Sequence, residues 1–75
     1  MIEIDLHGMR HEEAQRHLEQ NINHLWGSNE DLDIITGHSP EMKKIVVDIL
    51  TRYKLEYTIG DWSGHNTGFI RTVLD

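Results

Sequence analysis

Apolar and polar residues alternate at the start of the chain and then repeat at helical spacing, which predicts a strand followed by a helix. Residues 2–7 alternate between aliphatic and polar side chains, as a strand with one buried face does. Gly8 ends this strand. Over residues 11–26 the apolar positions form one helical stripe, made of Ala14, Leu18, Ile22 and Leu25. Gly27 is a typical helix terminator, so we expect the first helix to end there.

A second strand and a second helix follow. Residues 32–35 are mostly apolar and predict the strand. Ser39 is a preferred N-cap residue, and Pro40 suits the first helical position because its missing N–H costs nothing there. We expect this helix to continue to about residue 53, with an apolar stripe made of Met42, Ile45, Val46, Ile49 and Leu50.

Two further strands complete the order β-α-β-α-β-β. Alternating apolar residues predict a third strand over residues 55–59, and the β-branched residues of 69–74 predict a fourth after a turn at 63–66. Right-handed crossovers place both helices on one face of the sheet and make the first three strands parallel. The last strand returns through a short turn and is therefore antiparallel. We predict a two-layer α/β sandwich with a mixed four-stranded sheet.

Polar residues gather where the parallel strands end. His7, the segment 36–38 and the turn at 63–66 each follow one of these strands. Open α/β sheets bind their ligands at the carboxyl ends of the strands. We therefore expect His7, Thr36, Gly37 and His65 to converge at one edge of the sheet.

Composition limits the number of domains, the chemistry and the location. A chain of 75 residues forms one domain, residues 1–75, with a thin core. The absence of cysteine excludes disulfides and thiolate zinc sites. No apolar run approaches the roughly 18 residues of a membrane span, and no secretion signal is visible. We expect a cytoplasmic protein without a membrane partner.

The net charge argues against a nucleic-acid partner. It is −6, from 13 acidic residues against 7 Lys and Arg, whereas phosphate contacts usually require a basic surface. The basic residues Arg10, Lys43, Lys44 and Arg71 lie in or near the segments that approach the predicted edge. Most acidic residues fall elsewhere, at Glu19, Glu30, Asp31, Asp33, Asp48 and Glu56. This distribution predicts a mildly positive edge on an acidic body.

Several motifs together resemble one known family. Residues 4–8, Ile-Asp-Leu-His-Gly, resemble the Leu-Asp-Leu-His-Gly signature of Smr (small MutS-related) domains. Residues 35–39, Ile-Thr-Gly-His-Ser, match in part the family's Thr-Gly-x-Gly signature, with serine in place of the second glycine. Residues 42–50 resemble the family's second helix, and 66–68 its last turn. The resemblance covers residues 2–74 and implies the strand order one-two-four-three.

Asp5 and His7 are the candidate catalytic residues. They lie two apart on a strand, so both project from one face, with about 6.5 Å between their backbone positions. Histidine exchanges protons near neutral pH, which is what general acid–base cleavage of a phosphodiester requires. The resemblance implies that His7 carries the proton and that Asp5 orients its ring. The alternative is that Asp5 caps a turn and His7 is a solvated strand end.

The start of the second helix is the candidate nucleic-acid site. Its first amides are expected to be free and to form an anion-binding corner, beside basic side chains. The alternative is an ordinary turn capped by Ser39. The candidate nucleic-acid-binding residues are Arg10, Thr36, Gly37, His38, Ser39, Lys43 and Lys44.

Other candidate chemistry is less favoured. His7, His38 and His65, with Asp5, offer nitrogen and oxygen ligands to a metal, but no fixed spacing holds them together. We therefore expect neither a metal nor a cofactor. Trp26 and Trp62 suit base stacking, but aromatic residues beside an apolar stripe are more often core residues.

The preferred function is an endonuclease or nickase, acting on RNA or structured DNA through the His7–Asp5 pair. The main alternative is a non-catalytic nucleic-acid-binding or ribosome-binding module. A third hypothesis is an acidic protein-interaction domain. We expect a monomer whose partner is RNA or DNA, with the ribosome or another protein as further candidate partners.

Overall fold

The apolar stripes of two helices pack against alternate residues of a four-stranded sheet. The computed structural model of the chain describes residues 2–60 and 68–74. Within them the elements are β1 (Ile2–Asp5), α1 (His11–Leu25), β2 (Glu30–Ile35), α2 (Pro40–Arg52), β3 (Tyr57–Ile59) and β4 (Phe69–Leu74). The element order and the α/β sandwich agree with the prediction from sequence.

The strand order is β1-β2-β4-β3, as the family resemblance implied. β1 and β2 are parallel, and their register pairs Ile4 with Ile34. β4 lies between β2 and β3 and is antiparallel to both. Its residue Arg71 is therefore opposite both Asp33 and Thr58. The last strand of the chain thus occupies a central position in the sheet.

One face of the sheet is buried under the helices and the other is open. The buried face and the helix stripes form one cluster, which includes Ile4, Leu32, Ile34, Ile70, Leu74, Leu18, Ile22, Val46 and Leu50. The intervening strand residues Glu3, Asp5 and Arg71 are exposed. Each buried aliphatic side chain contributes about 1.5–3 kcal/mol through removal of its surface from water. Neither α1 nor α2, the helices of residues 2–60 and 68–74, has the length and hydropathy of a membrane-spanning helix.

Three predicted strand boundaries are wrong. β2 starts at Glu30 instead of residue 32, because Glu30 and Asp31 pair with Leu74 and Val73 of β4. The other two strands are shorter than predicted, because turns form the backbone hydrogen bonds there. β1 ends at Asp5 because the next residues form a turn closed by a hydrogen bond from the Met9 amide to the Leu6 carbonyl, 3.1 Å. β3 starts at Tyr57 because Leu55 belongs to the turn that ends α2, where its amide donates to the Leu50 carbonyl at 2.9 Å. This bond is typical of a helix C-terminal motif.

Trp26 also departs from its core assignment. It is the C-cap residue of α1, and its side chain is 51% exposed. Its ring packs on Tyr53 with 5.9 Å between the ring centroids. Trp62 lies outside the described residues.

Two positions of β4 test the assignment of its faces. Ile70 is fully buried, whereas Val73 is 41% exposed on the open face. Ile70→Ala should lower the free energy of unfolding by about 2–5 kcal/mol, because it leaves a cavity in the core. Val73→Ala should cost less than about 1 kcal/mol. Urea denaturation of both variants measures the difference, and equal losses would contradict the two-faced sheet.

Candidate active site

The turn after β1 presents His7 to solvent. Leu6 is fully buried and its amide donates to the Ile35 carbonyl at 2.8 Å, so the start of the turn is fixed to β2. Gly8 has a φ of 83°, a left-handed conformation that residues with a side chain rarely adopt. His7 lies between these two residues and is exposed. The turn therefore places a histidine at the carboxyl end of a parallel strand.

The turn after β2 is tied to the start of β4. The amides of Thr36 and Gly37 both donate to the carbonyl of Gly68, at 2.9 and 3.0 Å. The Thr36 hydroxyl donates to the Gly37 carbonyl at 2.8 Å and approaches the Gly68 carbonyl at 3.3 Å. Thr36 is buried. These bonds hold the turn rigidly beside the turn that carries His7.

His7 and Gly37 are in direct contact. Gly37 has a φ of 68°, and a Cβ atom built on it would lie only 2.9 Å from Cδ2 of the His7 ring. The imidazole therefore lies against the Cα atom of Gly37, in space that only glycine leaves open. The expected convergence of His7, Thr36 and Gly37 at one edge is present, while His65 lies outside the described residues.

Asp5 contacts the backbone of His7. One carboxylate oxygen accepts a hydrogen bond from the His7 amide at 2.9 Å. Among the described residues, no hydrogen bond joins this carboxylate to the imidazole. The capping role, which the sequence left as the alternative, is thus the one visible in the structure. Asp5 can position the histidine by fixing the backbone of its turn.

The start of α2 is capped from within the chain. The Ser39 hydroxyl accepts a hydrogen bond from the Met42 amide at 3.2 Å, which confirms the predicted N-cap. The same hydroxyl donates to a Glu41 carboxylate oxygen at 3.2 Å. Together with the Gly68 contacts of Thr36 and Gly37, this shows that the expectation of free amides is wrong at Thr36, Gly37 and Met42.

The basic side chains lie in different environments. Arg10 is the exposed N-cap residue of α1, Lys44 is exposed near the start of α2, and Lys43 is half-buried beside it. His38 is exposed in the turn that leads to α2. Arg71 is different, because its Nε and Nη2 donate to the two carboxylate oxygens of Asp33 at 2.6 and 3.0 Å. This hydrogen-bonded partner raises the pKa of Arg71.

A groove of about 460 Å³ extends from His7 across the open face of the sheet. Its walls are formed by Glu3, His7, Asp33, Ile35, Gly37, Gly68, Phe69 and Arg71. Phe69 was not among the site residues predicted from the sequence, and Asp33 and Arg71 were not predicted to be partners. Asp33 and Arg71 lie 38 residues apart in the chain, and the pairing of β2 with β4 brings them together.

The described part of the chain contains no group of three or more His, Asp or Glu side chains that could hold a metal ion. The proposed metal ligand His65 is outside that part. The chemistry of the described site is that of an exposed imidazole, held against a glycine, at the mouth of a groove. Such an imidazole can accept and return a proton of a molecule in the groove.

Comparison with known proteins agrees with the resemblance read from the motifs. A family model described as "Smr domain" matches residues 4–71. Among solved structures, the crystal structure of human small-MutS related domain superposes with a TM-score of 0.69 and 24% sequence identity. The match covers 96% of this chain and 99% of the human chain. No individually curated protein matches.

The contact between His7 and Gly37 can be tested with a methyl group. Gly37→Ala should push the imidazole from its position and shift the NMR signals of its Cδ2–H and Cε1–H groups. Gly27→Ala is the matched control, because Gly27 has a similar φ of 78° with nothing within 4 Å of the added methyl group. Each variant should lose about 1–2 kcal/mol of stability from backbone strain. Unchanged His7 signals in Gly37→Ala would refute the contact.

Proposed function

The chain belongs to the Smr domain family, whose members are nuclease-related domains that bind nucleic acids, and we propose that it is an endonuclease or nickase. The substrate in this proposal is RNA or structured DNA. The observation that carries it is the exposed imidazole of His7, seated on Gly37 beside the groove. The family motif of residues 4–8 thereby supplies a proton carrier at an open surface.

In the proposed reaction, the neutral His7 ring accepts the proton of the attacking hydroxyl group or water. The new P–O bond forms as the bond to the leaving oxygen breaks, and the imidazolium then returns its proton to that oxygen. Asp5 acts as a positioning residue through the His7 amide. Gly37 contributes the space in which the ring lies.

Side chains bind the phosphate in this proposal, together with those amides of the corner that have no partner within the chain, since the amides of Thr36, Gly37 and Met42 are already hydrogen-bonded. Positive charge from Arg10, Lys43 and Lys44, with hydrogen bonding from His38, would stabilise the charge that grows on the phosphate oxygens. Thr36 and Ser39 serve as supports, since their hydroxyls hold the turn and the helix start.

A non-catalytic nucleic-acid-binding or ribosome-binding module is the second candidate. This candidate is favoured by the hydrogen bond of the Asp5 carboxylate, which is accepted from the backbone amide of His7 and not from its ring. A turn fixed by such a hydrogen bond is equally useful to a protein that binds nucleic acid without cleaving it. The two candidates differ in one observable, the cleavage of a phosphodiester bond.

Substitution of His7 tests the catalytic proposal. His7→Ala should reduce the cleavage rate by about 10²- to 10⁴-fold, as the loss of a general acid–base group does. Asp5→Asn should cost less, because the amide oxygen can still accept the His7 N–H. The assay follows cleavage of an RNA hairpin, single-stranded RNA and gapped DNA. His24→Ala, which removes an exposed histidine from α1, is the control.

Two results would overturn this proposal. Equal cleavage by the wild type and His7→Ala, in preparations free of contaminating nuclease, would exclude His7 as the proton carrier. No cleavage of any substrate by the wild type would favour the binding module.

The lysines of α2 should control the salt dependence of binding. If Lys43 and Lys44 contact phosphates, the double variant Lys43→Gln, Lys44→Gln should flatten the plot of log K against log salt by about one unit per lysine. Lys54→Gln is the control, since Lys54 follows the opposite end of α2. Fluorescence anisotropy of a labelled hairpin at several salt concentrations measures the slope. An unchanged slope would remove both lysines from the site.

A further inference from the structure

The open face of the sheet carries a guanidinium that lies over an aromatic ring next to His7. Phe69 and Arg71 are two apart on β4 and therefore project from the same face. The guanidinium carbon of Arg71 is 5.5 Å from the centroid of the Phe69 ring. Ile35 is opposite Phe69 on β2 and is half-buried. These three side chains line the same groove as His7 and Gly37.

Asp33 fixes the orientation of the Arg71 guanidinium. The two carboxylate oxygens bind the guanidinium in a bidentate arrangement, and the Asp33 side chain is only 12% exposed. A guanidinium that is held along its edge and lies over the Phe69 ring still offers its other planar face for stacking. Because the pair is locked, this face is preorganised and loses little conformational freedom when a ligand binds.

The charges in the groove indicate which part of a nucleic acid fits there. Asp33 already balances the charge of Arg71, and Glu3 adds a further carboxylate to the wall. A phosphate would be repelled by this wall. An uncharged base would not be, and its amino groups can donate hydrogen bonds to a carboxylate. The volume, about 460 Å³, lies in the range of roughly 300–1,000 Å³ that is common for small-ligand sites.

We propose that this groove is a base-binding subsite, in which one unpaired nucleobase stacks on Phe69 and Arg71 next to the phosphate at His7. The inference rests on the proposed function and deepens it by defining the substrate. A base inside a duplex has both faces covered, so the subsite selects single-stranded segments, loops or bulges. The phosphate then lies at the His7 edge and the base lies on the sheet.

Replacement of the Phe69 ring tests the subsite. Phe69→Leu keeps an apolar side chain but removes the stacking surface, and it should weaken binding of an eight-nucleotide single strand about tenfold. Binding of the same sequence as a blunt duplex should not change. Tyr57→Leu is the control, because it removes an exposed aromatic ring from β3, outside the groove. Fluorescence anisotropy measures the affinities of RNA and DNA versions of the oligonucleotide.

A second measurement uses the wild type and does not depend on the variant's folding. NMR with the same oligonucleotide should show ring-current shifts at the Ile35 methyl groups and nuclear Overhauser contacts between base protons and the Phe69 ring. Single-strand binding by Phe69→Leu at wild-type affinity, or the absence of these contacts in the bound wild type, would overturn the subsite.

The outcomes separate this inference from the proposed nuclease activity. Binding that depends on Phe69, without cleavage by the wild type, would support the base-binding subsite and refute the nuclease activity. Cleavage that depends on His7, with binding independent of Phe69, would support the nuclease activity and refute the base-binding subsite.

Discussion

The insertion of β4 between β2 and β3 is the constraint on which the described structure depends. The strand buries Ile70 and Leu74 on the helix side and presents Phe69 and Arg71 on the other. The residue before it, Gly68, accepts hydrogen bonds from the amides of both residues that follow β2. One strand therefore completes the core, fixes the turn under His7 and forms the floor of the groove.

The position of His7 follows from strand register. The parallel pairing of β1 and β2 places Asp5 opposite Ile35, so two residues further along, His7 faces Gly37. A side chain at position 37 would collide with the imidazole, as the 2.9 Å separation from an added Cβ shows. The two signature segments are thus one structural unit, in which the glycine of the second provides room for the histidine of the first.

Local signals in the sequence predicted local structure, while contacts between distant segments were harder to predict. Ser39 and Pro40 indicated the start of α2 because capping depends on neighbouring residues alone. The strand order came from the family resemblance, since no local pattern shows that the last strand enters the middle of the sheet. The pairing of Asp33 with Arg71 requires the β2–β4 register and could not be derived without it. The Asp5 carboxylate accepts a hydrogen bond from the backbone amide of His7, two residues away, which is the capping role that the sequence left as the alternative.

The acidic composition is consistent with recognition through stacking. A net charge of −6 opposes tight binding through phosphates, and Arg71 does not offset it because Asp33 neutralises that guanidinium. Stacking of a base on an aromatic ring requires no excess of positive charge, since every base has a flat π face. In the proposed subsite, the Asp33–Arg71 pair has a role that its charges alone do not suggest. Because its charges balance, the pair exerts little long-range attraction on the phosphate backbone. In the proposed subsite it instead holds a planar cation against which a base of an unpaired strand can lie.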